Sequence, residues 1–267
     1  MNLNEEEVPK NQILHGDCVK LMQEFPDECI DLTVTSPPYE KLRKYGGHGF
    51  EPEPVIEQLW RITKPGGIVI WVVQDSVGDD GSLTMSSYQQ ALIFGLEGWR
   101  LHDEIALTRN GRRNPMGLRY GPCEKAYVFA KGKPKTINRL RDRKNSTAGA
   151  KIRRAVRHGD TLTVEHIDQS VEPYGFRFGW WQYSVGGRPK DLIGDHPARM
   201  HEDIARDFIV GYSNPGDLVF DPMCGSGTTC KMAYLKQRLY LGTEIHEPYV
   251  VIARERVRLA MEGRKAG

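Results

Sequence analysis

One stretch of the chain combines side chains and backbone acceptors that suit chemistry on an amino group. Residues 31–39 read Asp-Leu-Thr-Val-Thr-Ser-Pro-Pro-Tyr, a β-branched run that ends in a serine, two prolines and an aromatic ring. Because a proline has no N–H donor, the turn presents carbonyl acceptors beside the Ser36 hydroxyl and the Tyr39 ring. A planar substrate with an exocyclic amino group could donate to Ser36 and to the Pro37 carbonyl while it stacks on Tyr39. The alternative is a polyproline turn that packs on the core.

A second stretch has the composition of a nucleotide-binding turn. Residues 219–229 read Val-Phe-Asp-Pro-Met-Cys-Gly-Ser-Gly-Thr-Thr, which predicts a strand, an acidic residue, a small-residue loop and a helix start. Glycines let the backbone approach a ligand, and the helix start offers unpaired N–H groups to a carboxylate or phosphate. The third glycine of a dinucleotide fingerprint and the Gly-Lys-Ser/Thr of a P-loop are both missing. Further on, Glu244 ends a predicted strand, where it could accept both hydroxyls of a ribose or be an ordinary surface glutamate.

Short β-branched runs alternate with amphipathic stretches around both segments, a pattern typical of parallel strands joined by helices. Strands are predicted at 30–35, 68–73, 104–108, 126–130, 218–220 and 239–242. Helices are predicted at 55–63, 203–210, 228–236 and along the C-terminal segment. The Lys-Pro-Gly-Gly run at 64–67 is expected to break the first helix before the next strand begins. Residues 131–190 have little periodicity and are predicted to be an irregular insertion.

The composition argues against a disordered tail and against a membrane protein. The 267 residues are 39% hydrophobic and 27% charged, which fits one large α/β domain or two small ones. The longest purely apolar run, 68–73, is six residues, and glutamates at 5–7 stand where a secretory signal would be basic and apolar. Five cysteines without a Cys-x-x-Cys pair argue against disulfides and a structural zinc site. We therefore expect a soluble cytoplasmic protein with reduced thiols and no metal site.

Positive charge is concentrated in one segment. The net charge of the chain is +2, but residues 131–160 hold eleven Lys or Arg and two Asp, a net of +9. Arg112 and Arg113 extend this basic region upstream. A concentrated basic stretch predicts a polyanion-binding element, because each neutralised phosphate releases condensed counterions. The alternative is a solvated, partly disordered loop.

Together, the two segments resemble the DNA methyltransferases that act on exocyclic amino groups with S-adenosylmethionine. Thr-Ser-Pro-Pro-Tyr at 35–39 is similar to their catalytic motif, and residues 220–229 are similar to their cofactor motif. The catalytic motif comes first, as in the circularly permuted β class. The resemblance implies an α/β fold with a Rossmann-like mixed sheet of the class I methyltransferase type, circularly permuted, with an irregular basic insertion. It also implies a catalytic-loop half at 1–130, a target-recognition insertion at 131–190 and a cofactor-binding half at 191–267.

The resemblance and the basic segment assign roles to individual residues. The predicted catalytic residues are Ser36, Pro37, Pro38 and Tyr39. The residues predicted to bind S-adenosylmethionine are Asp17, Cys18, Thr35, Phe208, Asp221, Pro222, Gly225, Ser226, Gly227, Thr228, Thr229 and Glu244. The residues predicted to bind DNA are Arg112, Arg113, Arg139, Arg141, Arg143, Lys144, Lys151, Arg153, Arg154 and Arg157.

The reaction that the resemblance implies is direct methyl transfer to N6 of adenine or N4 of cytosine, on a base flipped out of double-stranded DNA. Serine at the first position of the catalytic motif tilts the family pattern weakly towards cytosine, so both bases stay open. Related permuted enzymes often pair, which predicts a homodimer, and a companion restriction enzyme is a further expected partner. Two alternatives remain: a methyltransferase of RNA or of protein glutamine, and a DNA-binding protein with a decayed methyltransferase fold.

Overall fold

The computed structural model describes residues 8–38, 50–76, 80–109, 124–183 and 200–265, except for the side chains of 109, 165–167, 264 and 265. The chain divides into two compact units. The first consists of Met1–Asn138 with Trp180–Gly267, and the second is Arg139–Gly179. Within the described ranges, no helix combines the length and the apolarity needed to cross a membrane.

Most of the described strands form one mixed sheet in the first unit. In chain order the strands are β1 Gln12–His15, β2 Ile30–Thr35, β3 Thr63–Val73, β4 Arg100–Arg109, β5 Glu124–Ala130, β6 Arg143–Lys144, β7 Lys151–His158, β8 Thr161–Ser170, β9 Tyr174–Gly175, β10 Trp180–Tyr183, β11 Leu218–Asp221 and β12 Leu239–Glu244. The large sheet has the order β1-β12-β11-β2-β3-β5-β4-β10. The neighbours from β1 to β3 pair in parallel, whereas β5 is antiparallel to both β3 and β4. The predicted mixed α/β architecture is therefore confirmed.

Helices cover both faces of this sheet. They are α1 Cys18–Gln23, α2 Pro52–Ile62, α3 Ser86–Leu96, α4 Glu202–Tyr212, α5 Thr228–Leu235 and α6 Glu247–Lys265. α2 contacts α1 and α3, whereas α5 contacts α4 and α6. Trp71 and Val73 of β3 share a core with Leu59 of α2, while the intervening Val72 is also buried. Because successive strand residues point to opposite faces, burial of all three requires a layer of helices on each side of β3.

The connection from α2 to β3 differs from the prediction. α2 ends at Ile62 and β3 begins at Thr63, five residues before the predicted start of the strand at 68. Thr63 pairs with Ile30, and the register shifts before Ile68 pairs with Leu32. Gly66 has φ +79° and its N–H donates to the Lys131 carbonyl at 2.7 Å. The glycine run therefore lies within the strand as an irregularity, whereas the sequence predicted that the run would break the helix before the strand begins.

Some described residues within the insertion predicted at 131–190 belong to regular elements. β10, within that range, is an edge strand of the large sheet and pairs in parallel with β4. Trp181 and Tyr183 are buried and alternate with exposed neighbours, but four residues are too few for an alternating pattern to be recognised in the sequence. At the other end, the Asn138 N–H donates to the Gly211 carbonyl at 2.7 Å, which ties this residue to α4. β1, α1 and α3 were not predicted either.

The second unit contains two small antiparallel pairs. β6 pairs with β9, and β7 pairs with β8 in a hairpin that turns at 159–160. Gly159 has φ +61°, a backbone conformation that suits glycine in a tight turn. β7 has no buried residue, so the apolar alternation by which strands are recognised is absent there. The hairpin is defined by its turn and backbone pairing.

Candidate active site

Four parallel strands bring the predicted site residues to one edge of the sheet. β1, β12, β11 and β2 are consecutive neighbours, and their carboxyl ends lead to Asp17, Glu244, Asp221 and Ser36 respectively. Ligands of open α/β sheets bind outside the carboxyl ends of parallel strands. Three carboxylates and the Ser-Pro-Pro segment thus converge although 208 positions separate Ser36 from Glu244 in the chain.

Asp221 is a buried carboxylate held by neutral donors. The Thr35 hydroxyl donates to its Oδ1 atom at 2.8 Å, and the Met223 N–H donates to the same atom at 3.2 Å. Burial raises the pKa of Asp221 to about 6, although hydrogen bonds from Thr229, Thr35 and Met223 act in the opposite direction. A nearby positive charge favours the ionised form of a buried carboxyl group, so a cationic ligand would stabilise the Asp221 carboxylate. Thr35 is itself fully buried, so its hydroxyl orients Asp221.

Glu244 is fixed by two backbone N–H groups. Gly225 donates to its Oε2 atom at 2.9 Å, and His246 donates to its Oε1 atom at 2.9 Å. Each carboxylate oxygen can accept more than one hydrogen bond, so both oxygens keep capacity for a ligand hydroxyl. The surface-glutamate alternative does not fit this arrangement, since only 9% of Glu244 is exposed.

Asp17 caps the helix that follows β1. Its side chain accepts the Lys20 N–H at 3.0 Å, and the preceding Gly16 N–H donates to the Glu244 backbone carbonyl at 2.9 Å. Asp17 and Glu244 therefore lie on adjoining turns. For the neighbouring Cys18, burial raises the pKa of the thiol to about 12, and the Asp17 charge acts in the same direction. Cys18 therefore contributes a neutral thiol to this edge.

The glycine loop is seated on α6. Gly225 and Gly227 have φ of +50° and +75°, in the left-handed region. A Cβ atom on Gly227 would lie 2.8 Å from the Ala253 Cβ and 2.9 Å from its Cα. Sequence reasoning attributed this glycine to close approach of a ligand, but its missing side chain is required by the packing of the loop on α6.

Arg256 is a residue that sequence reasoning missed. Its guanidinium is fully buried and donates to the Ser226 carbonyl at 2.7 Å and to the hydroxyls of Ser226 and Thr228 at 3.1 Å. A second nitrogen donates to Glu202 at 2.6 Å, and Lys231 contacts the same carboxylate oxygen at 2.8 Å. The hydroxyls predicted to contact a cofactor are therefore directed at this arginine.

The signal for Arg256 was present in the helical pattern. Val250, Ala253 and Val257 are buried at helical spacing along α6. Arg256 follows Ala253 by three residues and so belongs to the same buried face. A cation on the apolar face of a helix indicates a buried anionic or carbonyl partner.

The Ser-Pro-Pro segment is attached to the glycine loop. Ser36 and Pro38 are partly exposed, whereas Pro37 is buried. The hydroxyl of Thr229, at the start of α5, donates to the Val34 carbonyl of β2 at 3.2 Å. With the bond from Thr35 to Asp221, this contact fixes the end of β2 against both β11 and α5. Tyr39, the fourth predicted catalytic residue, lies outside the described residues.

Two other predicted cofactor contacts lie deeper in the fold. Phe208 has no exposed surface and stacks on Trp181 with 4.8 Å between ring centroids. The Pro222 carbonyl accepts the Thr243 hydroxyl at 2.5 Å, which joins the loop to β12. Both residues thus contact other parts of the protein around the site. Their direct contact with a ligand stays a prediction.

The residues predicted to bind DNA fall into three groups. Arg112 and Arg113 lie outside the described residues. The guanidinium carbons of Arg139 and Arg141 lie 5.1 and 4.2 Å from the Phe176 ring centre, and Arg143 and Lys144 form β6. The remaining four are exposed on the hairpin strand β7: Lys151, Arg153, Arg154 and Arg157.

Comparisons with known proteins agree on one family. The family of N6 and N4 DNA methylases matches residues 30–255. The orphan methyltransferase M.BamHII of Bacillus amyloliquefaciens is 44% identical over 245 residues, which cover 89% of this chain and 92% of that protein.

Two solved structures share the fold at low sequence identity. The PvuII cytosine-N4-specific DNA methyltransferase superposes with a TM-score of 0.68 at 17% identity, over 94% of this chain and 89% of that one. A putative DNA modification methylase of Thermus thermophilus, in complex with S-adenosyl-L-methionine, superposes with a TM-score of 0.64 at 21% identity, over 94% and 96% of the two chains. The predicted fold class is thereby confirmed, whereas the circular permutation stays a prediction.

Proposed function

This chain belongs to the N6 and N4 family of DNA methylases, and from that premise we propose that it moves a methyl group from S-adenosylmethionine to the exocyclic amino group of adenine or cytosine in double-stranded DNA. One observation carries the proposal. The Ser-Pro-Pro segment ends β2 beside the strand that ends in Asp221, and the Thr35 hydroxyl joins them at 2.8 Å. Acceptors for an amino group and carboxylates for a cationic donor thus occupy one edge of the sheet.

The residues present suit this donor. When bound, S-adenosylmethionine supplies an electrophilic methyl group on a positively charged sulfur. Asp221 offers a buried negative charge, and Glu244 offers two oriented oxygens to the ribose hydroxyls. Asp17, on the turn beside Glu244, is proposed to contact the adenine ring of S-adenosylmethionine. The loop at 225–227 leads into the N-terminus of α5, where N–H groups favour a carboxylate.

Ser36 and Pro37 are proposed to prepare the amino group. The nitrogen of an exocyclic amino group is a poor nucleophile, because its lone pair is delocalised into the ring. The two N–H groups of the amino group would donate hydrogen bonds to the Ser36 hydroxyl and the Pro37 carbonyl. These bonds would concentrate the lone pair on nitrogen and fix its direction. The nitrogen becomes a strongly acidic cation after transfer and loses a proton without a covalent enzyme intermediate. Tyr39 is proposed to stack on the flipped base.

The proposed roles predict that Ser36 acts in methyl transfer and that Glu244 acts in the binding of S-adenosylmethionine. In Ser36→Ala one acceptor is lost, and we expect kcat to fall about 100-fold while the Kd for S-adenosylmethionine stays unchanged. In Glu244→Gln we expect that Kd to rise at least tenfold. Isothermal titration with the donor and a DNA methylation assay measure the two effects. Equal loss of donor binding in both variants would contradict the assigned roles.

The hairpin β7–β8 is proposed to contact DNA through one of its faces. Arg153 and Arg157 are four residues apart in the part of β7 that pairs regularly with β8, so both point to the same side of the strand. Leu162, which pairs with Arg157, is 66% exposed on that side. Four residues of a strand span about 13 Å, which is the spacing expected for these two cations. A two-stranded ribbon of this kind fits the major groove of DNA.

Arg154 gives a control of equal charge on the opposite face. In Arg153→Gln and in Arg157→Gln we expect weaker DNA binding and a salt dependence reduced by about one unit in the log–log slope. In Arg154→Gln we expect the slope of the wild type. Fluorescence anisotropy at several salt concentrations measures all three. If Arg154→Gln lowers the slope as much as the others, the hairpin does not use one face.

The wider setting is proposed from the family. A homodimer and a cytoplasmic location, where DNA is accessible, fit the expectations from the sequence. The relative M.BamHII is named an orphan methyltransferase, so its name does not support a companion restriction enzyme. Such a partner stays a proposal. The base is proposed to be adenine or cytosine, with Ser36 as the weak indication for cytosine.

A further inference from the structure

Three arginines of the second unit lie over phenylalanine rings. The guanidinium carbons of Arg139 and Arg141 are 5.1 and 4.2 Å from the centre of the Phe176 ring. The guanidinium carbon of Arg143 is 4.6 Å from the centre of the Phe178 ring. Phe176 and Phe178 are 39% and 50% exposed. Exposed aromatic rings among cations are typical of surfaces that bind nucleic acids.

The fold of the unit accounts for the position of Arg143. This arginine is only partly exposed, and its Nε atom donates to the Phe176 carbonyl at 2.9 Å. A Cβ atom on Gly175 would overlap the Nη2 atom of Arg143, so the guanidinium occupies the place of a side chain on the paired strand β9. Arg143 therefore contributes to the packing of the unit.

Arg177 has a partner of opposite charge. Its Nε atom lies 3.1 Å from each carboxylate oxygen of Asp142. Two hydrogen bonds to one carboxylate fix the guanidinium and neutralise its charge. Arg177 is thus an arginine of the same unit whose position and charge the fold already explains.

Arg139 and Arg141 lack such partners. Both are exposed, and among the residues that the structure describes neither side chain has a hydrogen bond or an ion pair. Two cations thus share the Phe176 ring without a counter-charge, which leaves their mutual repulsion for a ligand to relieve. A guanidinium that stacks on a ring keeps a fixed plane, and the N–H donors at its edge stay available.

The chemistry of Arg141 suits the edge of a base. A phosphate requires only a positive charge, which the lysines of β6 and β7 already offer. A planar fork with a fixed plane matches the O6 and N7 acceptors of guanine in the major groove, the commonest specific contact of arginine with DNA. Arg141 lies closer to the Phe176 ring than Arg139 does, so its plane is the better fixed of the two.

We propose that Arg141, held over Phe176, recognises a guanine of the target sequence by donating two hydrogen bonds to O6 and N7 of that base. The inference rests on the proposed function and adds a residue that determines which sequence is methylated. Phe176 acts as a positioning residue for Arg141. The hairpin β7–β8 has the different role of binding phosphates, which carry no sequence information directly.

The first measurement maps the methylated sequence. Duplex DNA with randomised positions is treated with each protein, and the methylated sites are identified by single-molecule sequencing. We expect the wild type to require guanine at one or more positions and Arg141→Lys to lose about tenfold of that preference at one of them. Arg177→Lys is the matched control, and we expect it to keep the wild-type sequence preference.

The second measurement follows binding instead of methylation. Each guanine of the mapped site is replaced in turn by 7-deazaguanine, which lacks the N7 acceptor, and the Kd for DNA is measured by fluorescence anisotropy at constant salt. For the wild type we expect one replacement to raise the Kd about fivefold or more. For Arg141→Lys the same replacement is expected to have no further effect. A phosphate contact would not respond to 7-deazaguanine.

Phe176 provides a second pair of variants. Phe176→Leu removes the ring, and we expect it to reduce the preference for the same guanine, whereas Phe176→Tyr keeps the ring and should restore it. A wild type that methylates DNA with a sequence preference unchanged in Arg141→Lys and in Phe176→Leu would overturn the inference and leave the proposed function intact. A wild type that binds S-adenosylmethionine but methylates no DNA would overturn both.

Discussion

Asp221 shows how a single residue can be placed for function at a cost to folding. The Thr35 hydroxyl and the Met223 N–H donate to it, and both of these groups are neutral. Burial raises the pKa of its carboxyl group to about 6, compared with an ordinary value of 3.8. The folded chain therefore holds a proton that the unfolded chain has already released between about pH 4 and pH 6. Stability from this group is fully present below pH 4 and is lost as the pH rises to 6.

Asp221→Asn should therefore increase stability at neutral pH and weaken donor binding. Near pH 7.5 we expect the free energy of unfolding to rise by about 1–3 kcal/mol, because the variant has no buried charge. Below pH 4 the difference should vanish. Urea unfolding across this pH range measures it, and isothermal titration should show a weaker Kd for S-adenosylmethionine.

Asp103, an exposed aspartate on β4, provides the control. Asp103→Asn should leave the donor affinity unchanged. A stability difference for Asp221→Asn that is the same at pH 4 and pH 8 would show that the charge of Asp221 is not responsible.

At the scale of elements, α6 supports the glycine loop. Ala253 leaves no room for a side chain at Gly227, and Arg256 donates to the Ser226 carbonyl from beneath the loop. The same helix is anchored to the edge strand β1 by Arg254, which donates to the Ile13 carbonyl at 2.6 Å. Two arginines on one helix thus hold different parts of the fold.

These two arginines form a matched pair for mutation. Arg256→Met leaves the loop carbonyl and Glu202 without their buried donor, and we expect the free energy of unfolding to fall by about 3 kcal/mol. We also expect the affinity for S-adenosylmethionine to fall at least tenfold. Arg254→Met removes only a contact with the Ile13 carbonyl, four residues before Asp17, and we expect it to lower that affinity less than Arg256→Met does. Denaturant unfolding and isothermal titration measure both effects, and equal losses of affinity would contradict a special role for Arg256.

Elements with strong local signals could be predicted from the sequence. β2 was predicted with its observed bounds of Ile30–Thr35, and β11, α5 and β12 were predicted to within two residues at each end. Each carries a β-branched or amphipathic run bounded by a turn. β10 and the hairpin β7–β8 could not be predicted. β10 is only four residues long, and β7 has no buried side.

The carboxylates of the candidate site could be predicted from the sequence, but the contacts that hold them in place could not. Asp221 and Glu244 were recognised because each follows a predicted strand. The bond between Thr35 and Asp221 spans 186 positions, and the one between Arg256 and Ser226 spans 30. Such contacts depend on how strands and helices are arranged in space, which no local pattern specifies.

At the scale of the molecule, the catalytic and cofactor segments come from opposite ends of the chain. β2, near the N-terminal end, pairs in parallel with β11, near the C-terminal end. This pairing places Ser36 next to Asp221 at the edge of a single sheet. The basic hairpin belongs to a separate unit, Arg139–Gly179. The sheet is proposed to hold the site of methyl transfer, and the second unit is proposed to contact DNA.

The most direct test of this account is to identify the nucleoside that receives the methyl group. The purified protein is incubated with unmethylated DNA and isotope-labelled S-adenosylmethionine, and the DNA is digested and analysed by mass spectrometry. The account predicts label in N6-methyladenine or N4-methylcytosine nucleosides, and about 100-fold slower labelling with Ser36→Ala. Label on carbon 5 of cytosine, or no label in DNA by a protein that binds the donor, would contradict it.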